Sequence, residues 1–200
     1  MFKKNRTLSL VLLVIVALVA AACGGGGDNG GNGGGSASSV NLSQEFAGGG
    51  VTLMYPEGWV AEEASGQIRL ASSQEVADKM NSDEDLNEPM PSGAAATVVM
   101  TVNATDIGLE ADASITDVLN QFKNLMADAD TTIGDVEAVS LGDKDGARVS
   151  VSSENTDGWL YGAALGDGDV ALFIFITAPG ERDNWTATLD GIAASITKAN

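Results

Sequence analysis

One run near the end of the chain, Val170–Thr177 (VALFIFIT), constrains the fold more than any other stretch. Every position from Val170 to Ile176 is apolar, so an extended strand here is apolar on both faces. Such a strand belongs at the centre of a sheet, covered by helices on either side. It is bounded by the turn Gly166-Asp167-Gly168-Asp169 and the break at Pro179-Gly180. Upstream, strands are expected at Ile133–Leu141, Ala147–Ser153 and Trp159–Leu165. Their connections, Gly142-Asp143-Lys144-Asp145-Gly146 and Asn155-Thr156-Asp157-Gly158, carry the residues hairpin turns require. Along Ala147–Ser153, Ala147, Val149 and Val151 face one way, and Arg148, Ser150 and Ser152 the other.

Two amphipathic helices bracket these strands. Ser114–Ala129 aligns Ile115, Val118, Leu119, Phe122, Leu125, Met126 and Ala129 on one stripe, and Ser114 with Asp117 resembles a capping box. Beyond Pro179-Gly180, Asp183 or Asn184 is expected to cap a terminal helix that places Trp185, Leu189, Ile192 and Ile196 on one face. Consecutive strands with short turns between two such helices imply an antiparallel meander. The expected class is α+β, built as an α/β/α sandwich.

The first half is shorter in its elements. Val51–Tyr55 reads as a strand, stopped by Pro56-Glu57-Gly58 and resumed from Trp59 to about Glu62. Gln67–Ala71 alternates like a half-buried strand after a turn at Ser65-Gly66, and Ser73–Met80 suits a short helix. Asn81–Gly93, with four carboxylates and two prolines, reads as a surface loop, and Ala94–Asn103 as a β-branched strand. Residues 40–200 together have the length of one domain.

The N-terminal residues follow other rules. Met1–Arg6 is a basic head, and the apolar run Leu10–Ala22 is 13 residues long. A membrane-spanning helix needs about 20 apolar residues, so this run reads as a signal peptide, residues 1–22, ending on small residues. Val19-Ala20-Ala21-Ala22-Cys23 resembles the lipobox of bacterial lipoproteins. That resemblance implies a diacylglyceryl group on the Cys23 thiol, cleavage before Cys23, and an acylated new amine. Two or more acyl chains, at about 0.8 kcal/mol per buried methylene, hold a protein stably on a membrane. Gly24–Ser39 follows, with nine glycines in 16 residues, and cannot offset the entropy of ordering. Residues 23–39 are therefore expected to be a lipidated cysteine and a flexible tether reaching roughly 20–25 Å. The expected location is the bacterial cell membrane, lipid-anchored on its extracytoplasmic side.

Composition removes whole classes of chemistry. The chain has 200 residues, no histidine and a single cysteine. Ser-His-Asp triads, Cys-His dyads, His-ligated metals, internal disulfides and cysteine-clustered metals are excluded. The formal charge is −18, and such a surface repels nucleic-acid phosphate, so no nucleic-acid partner is expected. Lys3, Lys4 and Arg6 precede Cys23, while all 28 acids follow it. From Cys23 onward the chain is 178 residues carrying −21. An anionic lipid surface repels it, so the lipid must hold it there.

Three landmarks lie in the domain: Tyr55-Pro56-Glu57-Gly58-Trp59, the mid-chain helix followed by hairpins with Gly-Asp turns, and the ending Thr188-Leu189-Asp190-Gly191-Ile192-Ala193-Ala194-Ser195-Ile196. In this order the domain resembles the PsbP-like fold of the extrinsic photosystem II protein, a Ran-binding factor and many bacterial lipoproteins. The resemblance covers residues 40–200. It implies a non-enzymatic protein that binds or helps assemble a larger complex. The histidines that bind metal in some plant members have no counterpart here.

Candidate sites are few. Asp143-Lys144-Asp145-Gly146 begins like a calcium loop, yet Ala147 stands at the third ligand position and the glycine comes early. Asp and Gly at hairpin tips are what turn geometry requires in any case, so plain turns are the first reading, with Asp143 and Asp145 the weak metal candidates. Asp83-Glu84-Asp85-Leu86-Asn87-Glu88 reads as a solvated acidic face. Trp59, Trp159, Tyr161 and Trp185 suit core packing, and Tyr55, Trp59 and Trp159 are the candidates for a partner surface. No Gly-x-Ser-x-Gly or Ser-x-x-Lys signature occurs, so no catalytic residue is assigned and the chain is not expected to be an enzyme. The expected function is a membrane-anchored lipoprotein acting as a binding or assembly module within an envelope complex. No cofactor is expected beyond the lipid on Cys23. The alternative is a calcium or small-ligand binder using its acidic loops.

Overall fold

A computed structural model describes residues 40–82, 89–126 and 131–199. Cys23, the glycine-rich stretch, the acidic residues Asp83–Glu88 and the expected end of the mid-chain helix lie outside the described residues.

The strand that carries the apolar run, β10 (Asp169–Thr177), lies in the middle of the larger sheet. Its neighbours are β5 (Ala95–Asn103) on one side and β9 (Asp157–Gly166) on the other, both antiparallel. From β5 the sheet continues through β4 (Gln67–Ala71) to β3 (Val60–Ala64); from β9 it continues to β8 (Lys144–Ser152). Both β6 (Thr132–Ile133) and β7 (Glu137–Leu141) pair with β8. The meander β7-β8-β9-β10 is the one implied by the short turns. At the β9–β10 turn Asp167 and Gly168 both have positive φ, 57° and 77°, as a two-residue hairpin demands.

Each face of β10 is covered, because its side chains alternate. Ala171, Phe173 and Phe175 join Trp159, Tyr161 and Val99 in one core. This core is closed by the terminal helix (Arg182–Ser195) and a small sheet of β1 (Leu42–Gly48), β2 (Val51–Pro56) and β11 (Thr197–Lys198). Val170 and Leu172 point the other way, toward Val118, Leu119 and Phe122 of the mid-chain helix Ile115–Met126. We label helix Gln74–Asn81 α1, the mid-chain helix α2 and the terminal helix α3. At the start of α2 the Ser114 Oγ accepts from the Asp117 N–H at 3.2 Å, and the Ser114 N–H donates to Asp117 Oδ2 at 3.2 Å. This reciprocal pair is the expected capping box, with aspartate in place of glutamate. Together these elements form an α+β fold with a large antiparallel sheet and three α-helices among the described residues.

Four local expectations need correction. The strand expected at Ile133–Leu141 is two strands, separated by Gly134–Val136. There the Gly134 N–H donates to the Ser150 carbonyl at 2.9 Å, and Ser150 Oγ fills the space a β-carbon would take. The turn expected over Gly142–Gly146 is only Gly142-Asp143, because Leu141 already pairs with Lys144 and Ser140 with Asp145. Asp157 and Gly158, expected in a turn, belong to β9, and the connection is tied by the Ser153 N–H donating to the Thr156 carbonyl at 2.8 Å. Neither Asp183 nor Asn184 caps α3; Glu181 holds the cap position with no side-chain capping bond. Its carboxylate instead accepts from the Ser92 hydroxyl and from the Gly93 N–H at 2.7 Å.

Candidate functional site

The aromatic residues singled out in the sequence fall into two separate environments. Trp159 on β9 and Arg148 on β8 face the α3 side of the sheet, Arg148 lying opposite Tyr161 in the register. From the first turn of α3, Arg182 reaches back over the same indole. The guanidinium carbons of Arg148 and Arg182 sit 4.5 Å and 4.7 Å from the Trp159 ring centroid, within cation–π range. Trp159 itself is buried, at 8% exposure, and its indole N–H donates to Thr186 Oγ1 at 3.2 Å.

Each guanidinium has its own carboxylate. Arg182 Nη1 donates to Asp157 Oδ1 at 3.1 Å, and Arg148 Nε donates to Glu137 Oε2 at 3.3 Å. Arg148 Nη1 also lies 3.7 Å from Asp190 Oδ1 and 3.4 Å from the Tyr161 hydroxyl oxygen. The Tyr161 hydroxyl donates to Asp190 at 2.8 Å. Burial pushes the phenol above its ordinary pKa; the bond from Arg148 works against this rise, and the bond to Asp190 adds to it. The groups of this network are matched to one another, and its work is to lock α3 onto the sheet.

Trp59 stands differently. It leads out of the turn Pro56-Glu57-Gly58, where Gly58 takes a φ of 86°, and packs edge-on against Trp185 of α3 with centroids 5.7 Å apart. Both indoles are half-buried against the α3-side core. They border a groove of about 340 Å³ that also touches Glu57, Ser73, Glu75 and Ser92. None of the described residues lining it is a lysine or arginine. Tyr55, at the end of β2, is half-buried against the same core.

Asp143 and Asp145 do not share a loop. Asp143 is at the hairpin tip and Asp145 is a residue of β8, opposite Ser140. Between them, Lys144 Nζ lies 3.3 Å from Asp143 and donates to the Ala194 carbonyl at 2.9 Å, near the C-terminus of α3. A cation there complements the helix dipole. No group of three or more metal-ligating side chains is present among the described residues.

Arg148, Arg182, Asp190 and Thr186 went unremarked as a unit in the sequence, because they come from separated elements. The one available signal was Arg148 on the face that also bears Trp159 and Tyr161. Trp185 suits core packing by sequence; in the fold it pairs with Trp59, a residue far away in the chain.

No family model matches the chain, and no curated protein matches it. Among solved structures, it is similar to the cyanobacterial PsbP protein CyanoP from Synechocystis, at 16% identity and a TM-score of 0.49, over 86% of this chain and 98% of that one. It is also similar to a protein from Bacteroides thetaiotaomicron at 14% identity and a TM-score of 0.48, covering 80% of this chain and half of that one. A third is LpqN of Mycobacterium tuberculosis, described as involved in cell envelope biogenesis, at 14% identity and a TM-score of 0.46, over 75% and 83% of the two chains. No helix among the described residues is long and apolar enough to cross a membrane.

Proposed function

We propose that this chain is a lipid-anchored binding or assembly module on the extracytoplasmic side of a bacterial cell membrane, without a catalytic centre. The observation that carries it is Cys23, the sole cysteine, directly behind a short apolar run ending in Ala20-Ala21-Ala22. The glycine-rich residues that follow suit a tether. Support for a non-catalytic role comes from the charged network around Trp159, where every guanidinium is matched by a carboxylate. Cys23→Ala, followed by fractionation of the cells, tests the anchor: the protein should leave the membrane fraction. Retention of the variant on membranes would overturn the anchoring. Crosslinking in cells tests the module; a reproducible envelope or membrane partner at native abundance is the expected result, and its absence sinks the reading.

A further inference from the structure

We propose that the groove beside Trp59 and Trp185 docks a basic, extended segment of a partner protein, with a lysine or arginine side chain against the indoles and Glu57 and Glu75 as its counter-ions. This rests on the reading of the chain as a tethered binding module and names the chemistry of what that module holds.

The inference follows from which groups at the groove are already used. Ser72 Oγ accepts from the Ala95 N–H at 3.0 Å, and Ser73 Oγ accepts from the Val76 N–H at 3.3 Å. The Ser92 hydroxyl and the Gly93 N–H are bound to Glu181. The N-terminus of α1 also borders the groove, and Ser73 caps it with Glu75 in its first turn. Besides the hydroxyl hydrogens of Ser72 and Ser73, what remains are the two indoles and the carboxylates of Glu57 and Glu75, and these two carboxylates make no hydrogen bond or ion pair among the described residues.

Carboxylates only accept, and an indole face attracts positive charge. A neutral sugar carries no charge to complement the two carboxylates. An anionic segment meets two carboxylates and a chain of −18 overall. The protein itself displays the complete arrangement elsewhere: at Trp159 an indole, its cations and their carboxylates sit together. The groove has the indoles and the carboxylates but lacks the cation. Leu42, at the start of β1, pairs with Pro56. The chain thus enters the domain beside the turn that bears Trp59.

The test is a titration of the full chain in detergent with a decapeptide alternating lysine and alanine. Tryptophan emission and the heat of binding are followed at about 0.1 M salt. Emission should change on binding, and E57Q/E75Q should weaken the affinity about tenfold. A matched loss of charge on the β7–β8 hairpin, D143N/D145N, should leave it unchanged. Trp185→Leu provides a second variant that leaves the charge intact, and it should also weaken binding. Equal weakening by the two double variants overturns the proposal, since binding then follows net charge alone. Equal binding of a serine–alanine peptide overturns it too, as does no binding of the lysine peptide. In-cell crosslinking separates the two levels. If the unaltered chain captures a partner that E57Q/E75Q still captures, the groove assignment fails and the module reading stands. If the unaltered chain captures none, both fail.

Discussion

Trp159 and the Trp59–Trp185 pair are the same kind of side chain placed in opposite electrostatic surroundings. Trp159 is covered by two guanidiniums, each matched by a carboxylate, and sits in the core. Trp59 and Trp185 are half-buried and touch a groove whose charged described residues are acidic. The first environment is closed and complete; the second is open and one-sided. A chain with 10 bases against 28 acids has few cations to spend, and two of its arginines are stacked on one indole. That allocation marks the Trp159 stack as the internal fastener of α3 and leaves the other pair with no guanidinium stacked on it among the described residues.

The comparison breaks most directly in stability. Trp159→Ala should destabilise the fold by about 4 kcal/mol, the range for truncating a buried aromatic. Trp185→Ala, at a half-buried position, should cost about 1–2 kcal/mol. Urea denaturation of both variants measures the gap, and equal losses would dissolve the distinction between fastener and surface. Gly158, beside Trp159, belongs with the closed region: a β-carbon there would lie 1.9 Å from the Phe175 carbonyl oxygen. Gly158→Ala should cost about 3 kcal/mol in the same assay, because backbone rather than a pliable side chain must give way.

Next in size is the removal of one cation from the stack. Arg182→Ala takes away a ring contact and leaves Asp157, whose side chain is only 13% exposed, without its guanidinium. The expected loss is about 1–3 kcal/mol. If Arg182→Ala proves as mild as a substitution on the open surface, the guanidiniums are ornaments of Trp159 rather than its fastening.

How far all this was legible in the sequence depends on the range over which each signal acts. VALFIFIT announced a central strand because both faces of one short segment must be hidden, and the α2 capping box was legible because its two residues are neighbours along one turn. The division of Ile133–Leu141 was not legible, since it depends on Ser150 of another strand filling the space beside Gly134. The small sheet was half legible: β2 is a clear run, but β1 (Leu42–Gly48) interrupts Leu42 and Phe46 with Ser43-Gln44-Glu45, β11 is only two polar residues, and both flank β2 in the sheet. For the sites, Trp59 drew notice through its Pro-Glu-Gly turn. The Trp159 stack stayed hidden because Arg148 and Arg182 are distant in the chain and meet over the ring only once α3 has docked.

A pH experiment sharpens the closed side of the comparison. Burial raises the Tyr161 pKa in the folded state above its ordinary value of 10. Its contribution to stability is therefore complete below about pH 10 and declines as pH rises beyond that value, where the unfolded chain ionises first. Tyr161→Phe should flatten the alkaline side of a plot of melting temperature against pH. An unchanged alkaline slope would show that the phenol is not held in the matched network.

The smallest expected effect comes from an ionic cluster with no indole at all. Asp169 accepts from the Asn103 amide at 2.7 Å and lies 2.9 Å from Lys198 Nζ, joining the β10 end of the large sheet to β11 of the small one. The Asn103 amide first, and Lys198 second, lower the Asp169 pKa below its ordinary value of 3.8. A carboxylate with a depressed folded pKa adds stability above its unfolded value, and that stability is lost as pH falls through the folded one. Asp169→Asn should therefore lower the melting temperature slightly at neutral pH and not at all in strong acid, where the carboxylate is protonated in either state. Because the aspartate and Lys198 side chains are 37% and 39% exposed, solvent and salt screen the pair, and the neutral-pH loss should shrink further as salt is raised. A loss as large as that of Arg182→Ala would mean that exposed charge pairs fasten this fold as firmly as the stacked ones. The contrast between the closed and open regions would then have to rest on the aromatic rings alone.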